Sequence, residues 1–94
     1  DYRRYYIEDG KKYSHTIDPE TGYSAKQNVL SVTVVANDCM TADALATAFM
    51  VMGLEKTKKF LEHNPDVEAL LLYSDGEDTK EFISDNMKHR IKSN

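Results

Sequence analysis

The chain has 94 residues, 40% of them hydrophobic and 30% charged, a size and mix that make one globular domain or part of one and exclude a disordered tail. Twelve basic against sixteen acidic residues leave a net charge of -4 with no long single-sign block, which argues against a nucleic-acid backbone as partner. The single cysteine excludes an internal disulfide and any thiolate-rich zinc site, and no apolar run approaches the ~20 residues of a membrane helix.

Tyr2 to Ile7 and Lys11 to Ile17 are both rich in strand formers. Asp9-Gly10 between them predicts a hairpin, because glycine tolerates the positive φ of a type I′ turn. His15 then falls near the end of the second strand. Asp18-Pro19-Glu20-Thr21-Gly22 is a turn: proline sets φ, glycine releases it, and Asp18 can bond backbone N–H groups further on. Val29 to Ala36, apolar on both faces, predicts a central, covered strand.

Asn37-Asp38 breaks that strand, and Cys39 beside it reads as a small buried hydrophobe. A helix follows from about Thr41 to Met52, with Gly53 as its stop. Ala42, Leu45, Ala46, Phe49, Met50 and Met52 surround most of it with apolar atoms, which predicts a well-buried helix. Leu54 to His63 is a second, amphipathic helix that Asn64-Pro65 ends. Val67 to Tyr73 is a fourth strand and Asp75 to Asp78 a polar turn. Lys80 to Ser84 reads as an edge strand and Met87 to Ile91 as a short helical or irregular tail. This order gives an α+β layer, two helices packed on a mostly antiparallel sheet.

Two segments can carry chemistry. Asp43 and Thr47 stand at i, i+4, so a helix puts both on one face, and a carboxylate with a hydroxyl is a partial shell for Mg2+, an ion that completes its octahedron with water and phosphate oxygens. The alternative is structural: Asp43 favoured in the first helical turn by the helix dipole, Thr47 bonded back to a carbonyl. An acid inside so apolar a helix needs a partner if it is buried. His15 can take up a proton near neutral pH and so serve as general base, with Asp18 able to orient it; its alternative is a structural histidine. His63 at a helix end and His89 in a charged tail read as surface residues. Tyr2, Tyr5, Tyr6, Tyr13 and Tyr23 could flank an aromatic ligand or pack along strands. No glycine-rich phosphate loop, nucleophile elbow or dinucleotide fingerprint is present.

Ser-His-Thr-Ile-Asp-Pro-Glu-Thr-Gly-Tyr (Ser14 to Tyr23), Leu-Ser-Val-Thr-Val-Val-Ala (Leu30 to Ala36) and Met-Thr-Ala-Asp-Ala-Leu-Ala-Thr-Ala (Met40 to Ala48) follow one another in this order. With the opening Asp-Tyr-Arg-Arg-Tyr-Tyr and the later His-Asn-Pro, they make the chain resemble the C-terminal part of the ApbE family, the FAD:protein FMN transferases, nearly throughout up to about Tyr73. The resemblance implies an enzyme that cleaves FAD at its pyrophosphate and attaches FMN by a phosphoester to a Thr or Ser of an acceptor protein, with Mg2+ required. It implies Asp43 and Thr47 as metal ligands, His15 as catalytic base and Ile17 as a contact to FAD. The family often has Ile after the histidine, where this chain has Thr16. On this reading residues 1–94 are the C-terminal fragment of a single flavin-transferase domain, inactive alone, because another metal ligand and most FAD contacts lie upstream in the family.

Two rival functions stay open: an FAD pyrophosphatase releasing FMN and AMP, and a non-catalytic flavin-binding or interaction module. The resemblance also implies a bacterial periplasmic or cell-envelope protein, lipid-anchored, that meets the membrane only through an anchor outside this chain.

Overall fold

The strand Asn28–Ala36, nine residues without Gly or Pro, is the one on which the rest is assembled. The computed structural model describes residues 5–7, 11–17 and 28–93. In chain order they form β1 (Tyr5–Ile7), β2 (Lys12–Ile17), β3 (Asn28–Ala36), α1 (Cys39–Met52), α2 (Leu54–His63), β4 (Glu68–Asp75), β5 (Asp78–Ile83), α3 (Asp85–Arg90) and β6 (Ile91–Ser93). The Asp9-Gly10 and Asp18 to Gly22 turns lie outside the described residues. Four strands make one antiparallel sheet in the order β2-β3-β4-β5. The architecture is α+β, as the sequence predicts, and β3 is interior with Val32, Val34, Val35 and Ala36 buried.

The two faces of the sheet are unequal. On one, Val32 and Val34 join Ala69 and Leu71 of β4 with Ala42, Ala46 and Phe49 of α1 and Leu54 and Leu61 of α2 in the main core. Phe49 meets Phe60 of α2 edge-on, ring centroids 5.4 Å apart at 63°. On the other, Val35, Leu70 and Met87 of α3 form a smaller cluster. The β3–β4 register shifts between Val29 and Ser31. This bulge at Leu30 lets Val29 join the main core instead of following Ser31 to the opposite face.

Helix α1 starts at Asp38, whose carboxylate accepts the backbone N–H of Thr41 at 2.8 Å and its hydroxyl at 3.0 Å. It ends at Gly53, whose N–H bonds the Phe49 carbonyl at 3.1 Å. Gly53 sits at φ 85, ψ 175, a backbone region that is essentially glycine's alone, and the same residue opens α2. In α2, Leu54, Thr57 and Leu61 face inward and Glu55 pairs with Lys58 at 3.8 Å on the outside. Between β4 and β5 the chain turns through Gly76 at φ 66 and Glu77. No described helix is long and apolar enough to cross a membrane.

Four sequence expectations are corrected. First, β1 pairs with β6 and β2 with β3, and among the described residues the first two strands do not pair with each other as a hairpin. An Asp-Gly signal is local, whereas pairing is decided by which distant edge is available. Second, Cys39 is exposed, not buried, because it opens α1 on the solvent side. Third, α1 is buried on one face only: Met40 and Val51 are 81% and 82% exposed, and Asp43 and Thr47 are exposed too, which removes the argument from a buried carboxylate. Fourth, α1 begins at Cys39 rather than near Thr41, so its first turn holds no acidic residue and Asp43 lies beyond the reach of the dipole argument. The tail resolves into a short helix and a strand.

Candidate functional site

His15 and Ile17 point to the same side of β2, two residues apart. His15 stands directly across from Thr33 of β3 and Ile17 from Ser31. Both His15 and Ile17 are exposed, Ile17 by 58%. The His15 Nδ1 lies 2.8 Å from the Thr33 hydroxyl oxygen. Next to this pair, Ser31 is buried, and its hydroxyl has no hydrogen-bond partner among the described residues. The result is a strip of histidine, two hydroxyls and an open aliphatic side chain on one face of the β2–β3 ladder. A proton acceptor beside an uncovered apolar surface is an arrangement that can receive a ligand.

Asp43 and Thr47 lie one helical turn apart on α1, both open to solvent. A carboxylate and a hydroxyl are hard oxygen donors, and their exposure leaves the remaining coordination positions of a cation to water or a substrate phosphate. They fit Mg2+ in type and accessibility. Among the described residues no group of three or more His, Cys, Asp or Glu side chains could hold a metal ion by itself. The neighbouring acid, Asp38, is committed to its cap: the Thr41 N–H and hydroxyl hold its carboxyl below the usual 3.8.

The structure therefore brings the candidate residues together in two pairs rather than one cluster. Helix α1 packs against β2 and β3. It does so on the face of Val32 and Val34, which the ladder places opposite Thr16 and Ser14. His15 and Ile17 point to the other face. Among the described strands, β2 lies at the edge of the four-stranded sheet. Thr33 and Ser31 are the site residues that sequence reading misses. The signal for them is there, two hydroxyl residues at a spacing of two inside β3, but it gains meaning only once the β2–β3 register sets Thr33 against His15. His63 bonds the Lys59 carbonyl at 2.8 Å, a helix-end contact, and His89 is exposed on α3, as expected for both.

The ApbE family model matches residues 1–71. The chain belongs to the ApbE family. It is 44% identical, over 94% of its length, to an FAD:protein FMN transferase from Vibrio cholerae, and 39% identical over 98% to one from Escherichia coli. It covers 26% of each of those two proteins, so the chain spans about a quarter of the length of these curated relatives. A solved structure of the flavin transferase ApbE from Vibrio cholerae, a histidine-to-glycine variant, superposes with a TM-score of 0.69 at 31% identity. The match covers 95% of this chain and 34% of that one, and the α+β arrangement seen here is shared with it.

Proposed function

We propose that this chain is part of an Mg2+-dependent FAD:protein FMN transferase, specifically the C-terminal portion of its single catalytic domain, and that it is inactive without the remainder. The observation that carries the reading is the 44% identity to a relative of that name, across nearly the whole chain. The solvent-open pair Asp43 and Thr47 supports it. The reaction is a transfer of the FMN phosphoryl group. The oxygen of an acceptor Thr or Ser hydroxyl forms a bond to the FMN-side phosphorus of FAD, the pyrophosphate P–O bond breaks, and AMP leaves.

In this reading His15 takes the proton of the acceptor hydroxyl as its oxygen attacks, work worth ~10²–10⁴ in rate for a well-placed base. Ile17 lies beside it and covers an apolar part of FAD. Asp43 and Thr47 hold the metal. A bound Mg2+ would neutralise charge on the pyrophosphate and on the departing AMP. The same reading places the full-length protein in the bacterial periplasm or at the envelope surface, held by a lipid anchor outside this chain.

The test combines full-length protein, FAD, Mg2+ and an acceptor carrying a Thr-containing target motif, with mass spectrometry for the added mass of FMN. A labelled acceptor and released AMP, both abolished by EDTA and by Asp43→Ala, are the expected result. Free FMN and AMP with no label would replace the transferase by a pyrophosphatase. Bound, unchanged FAD would leave a binding module, and near-normal transfer by Asp43→Ala at ordinary Mg2+ would remove Asp43 from the metal site.

A further inference from the structure

A histidine that accepts a proton must do so at one ring nitrogen, and the other nitrogen's hydrogen bond decides which. Here that bond joins Nδ1 and the Thr33 hydroxyl oxygen, 2.8 Å apart. A hydroxyl carries one hydrogen and two lone pairs, so Thr33 could either donate to Nδ1 or accept from it. The two cases have opposite consequences. If Thr33 donates, Nε2 carries the ring proton and the neutral imidazole has no lone pair left for a substrate. If Thr33 accepts, Nδ1 carries the proton and Nε2 is free.

The surroundings favour a fixed pair. Along the same face His15 is flanked by Tyr13 and Ile17 on β2, and Thr33 by Ser31 and Val35 on β3, with Leu70 of β4 on its far side. Thr33 is the described hydrogen-bonding partner of the ring. Its β-branched side chain is stiff about χ1 in a strand, and cross-strand pairing with His15 sets the spacing, so the hydroxyl is presented from a rigid element. It is partly exposed, and its own hydrogen can turn to solvent while the oxygen accepts.

We infer that Thr33 is a positioning residue for His15: its hydroxyl accepts the Nδ1 proton, holds the ring in place and keeps Nε2 open toward the acceptor hydroxyl. This deepens the proposed function and rests on its assignment of His15 as base. No bond other than hydrogen bonds changes at Thr33, and the proton gained at Nε2 comes from the acceptor hydroxyl.

The experiment uses full-length protein labelled with ¹⁵N-histidine. His15 signals are identified by their loss in His15→Ala, and the tautomer is read from the ring nitrogen shifts of wild type, Thr33→Val and Thr33→Ser. The expected wild type carries its proton on Nδ1. Thr33→Val, which keeps the branched shape, loses that preference and slows FMN transfer about 10- to 100-fold, the scale known for the outer-shell partners of metal-ligating histidines, with KM for FAD unchanged. Thr33→Ser restores both. A wild-type proton on Nε2, or a tautomer unchanged in Thr33→Val, overturns the inference. A changed tautomer with full transfer by His15→Ala leaves Thr33 as the ring's anchor and removes His15 as the base, so the two assignments fail separately.

Discussion

The helices α1 and α2 follow one another at Gly53 and pack on the same face of the sheet, yet they sort their side chains by different rules. In α2 the inward positions are Leu54, Thr57 and Leu61, and the outward ones are charged, so water alone explains the pattern. In α1 the inward positions are Ala42, Ala46 and Phe49, while the outward face mixes the exposed Met40 and Val51 with Asp43 and Thr47. Isolated exposed apolar residues are common, but here they share a helix face with a carboxylate and a hydroxyl one turn apart. Burial in the core accounts for the side chains of α2 on both faces, and for those of α1 on the inward face alone.

The largest effect should come from the face of α1 that the core owns. Phe49→Ala empties a fully buried position against Phe60 and should destabilise by about 3–5 kcal/mol in a denaturant titration, whereas Val51→Ser on the outward face should stay within about 0.5 kcal/mol. Equal costs would erase the distinction between the two faces. Next comes the joint. Gly53→Ala meets no atom within 4 Å, so any cost is backbone strain at φ 85, about 1–3 kcal/mol by the same titration. A neutral result would mean the α1–α2 turn can relax without the glycine.

The smallest effect lies at the caps. Helix α1 has Asp38 and α2 has no side-chain cap. The folded Asp38 carboxyl is held below its ordinary value, so its stabilisation is complete above the unfolded value and disappears as pH falls through the folded one. Asp38→Ala should lower the melting temperature by a few degrees at neutral pH. Asp38→Asn should keep the cap and remove this contribution to acid sensitivity. Parallel melts of the two variants, from neutral pH to below the carboxylate range, check the sign. A wild type whose acid sensitivity matches that of Asp38→Asn would mean that the cap does not depend on ionisation.

Most of this layout is legible in the residues. The uninterrupted β-formers of β3, the stripe of α2, the glycine at the α1–α2 joint and the Gly76-containing turn each carry their own local signal. What escapes is set by partners far along the chain. The pairing of β1 with β6 cannot be read from an Asp-Gly turn, and Thr33 looks like one polar residue in an apolar strand until it faces His15. The exposure of Cys39 and Asp43 depends on where α1 starts, and the Asp38 cap moves that start two residues ahead of the apolar pattern. His15, Asp43 and Thr47 stand out as candidates by residue type, spacing and family resemblance; that His15 faces away from α1 depends on the β2–β3 register.

The ribbon of β1 and β6 sets Ile7 against Ile91, so nearly the entire chain lies inside the loop it closes. Closure entropy rises slowly with loop length but long-range pairing forms late, whereas β3, β4 and β5 pair with nearer neighbours. The ribbon is therefore the contact expected to zip last during folding and, being only three residues per strand, to exchange its amide hydrogens first.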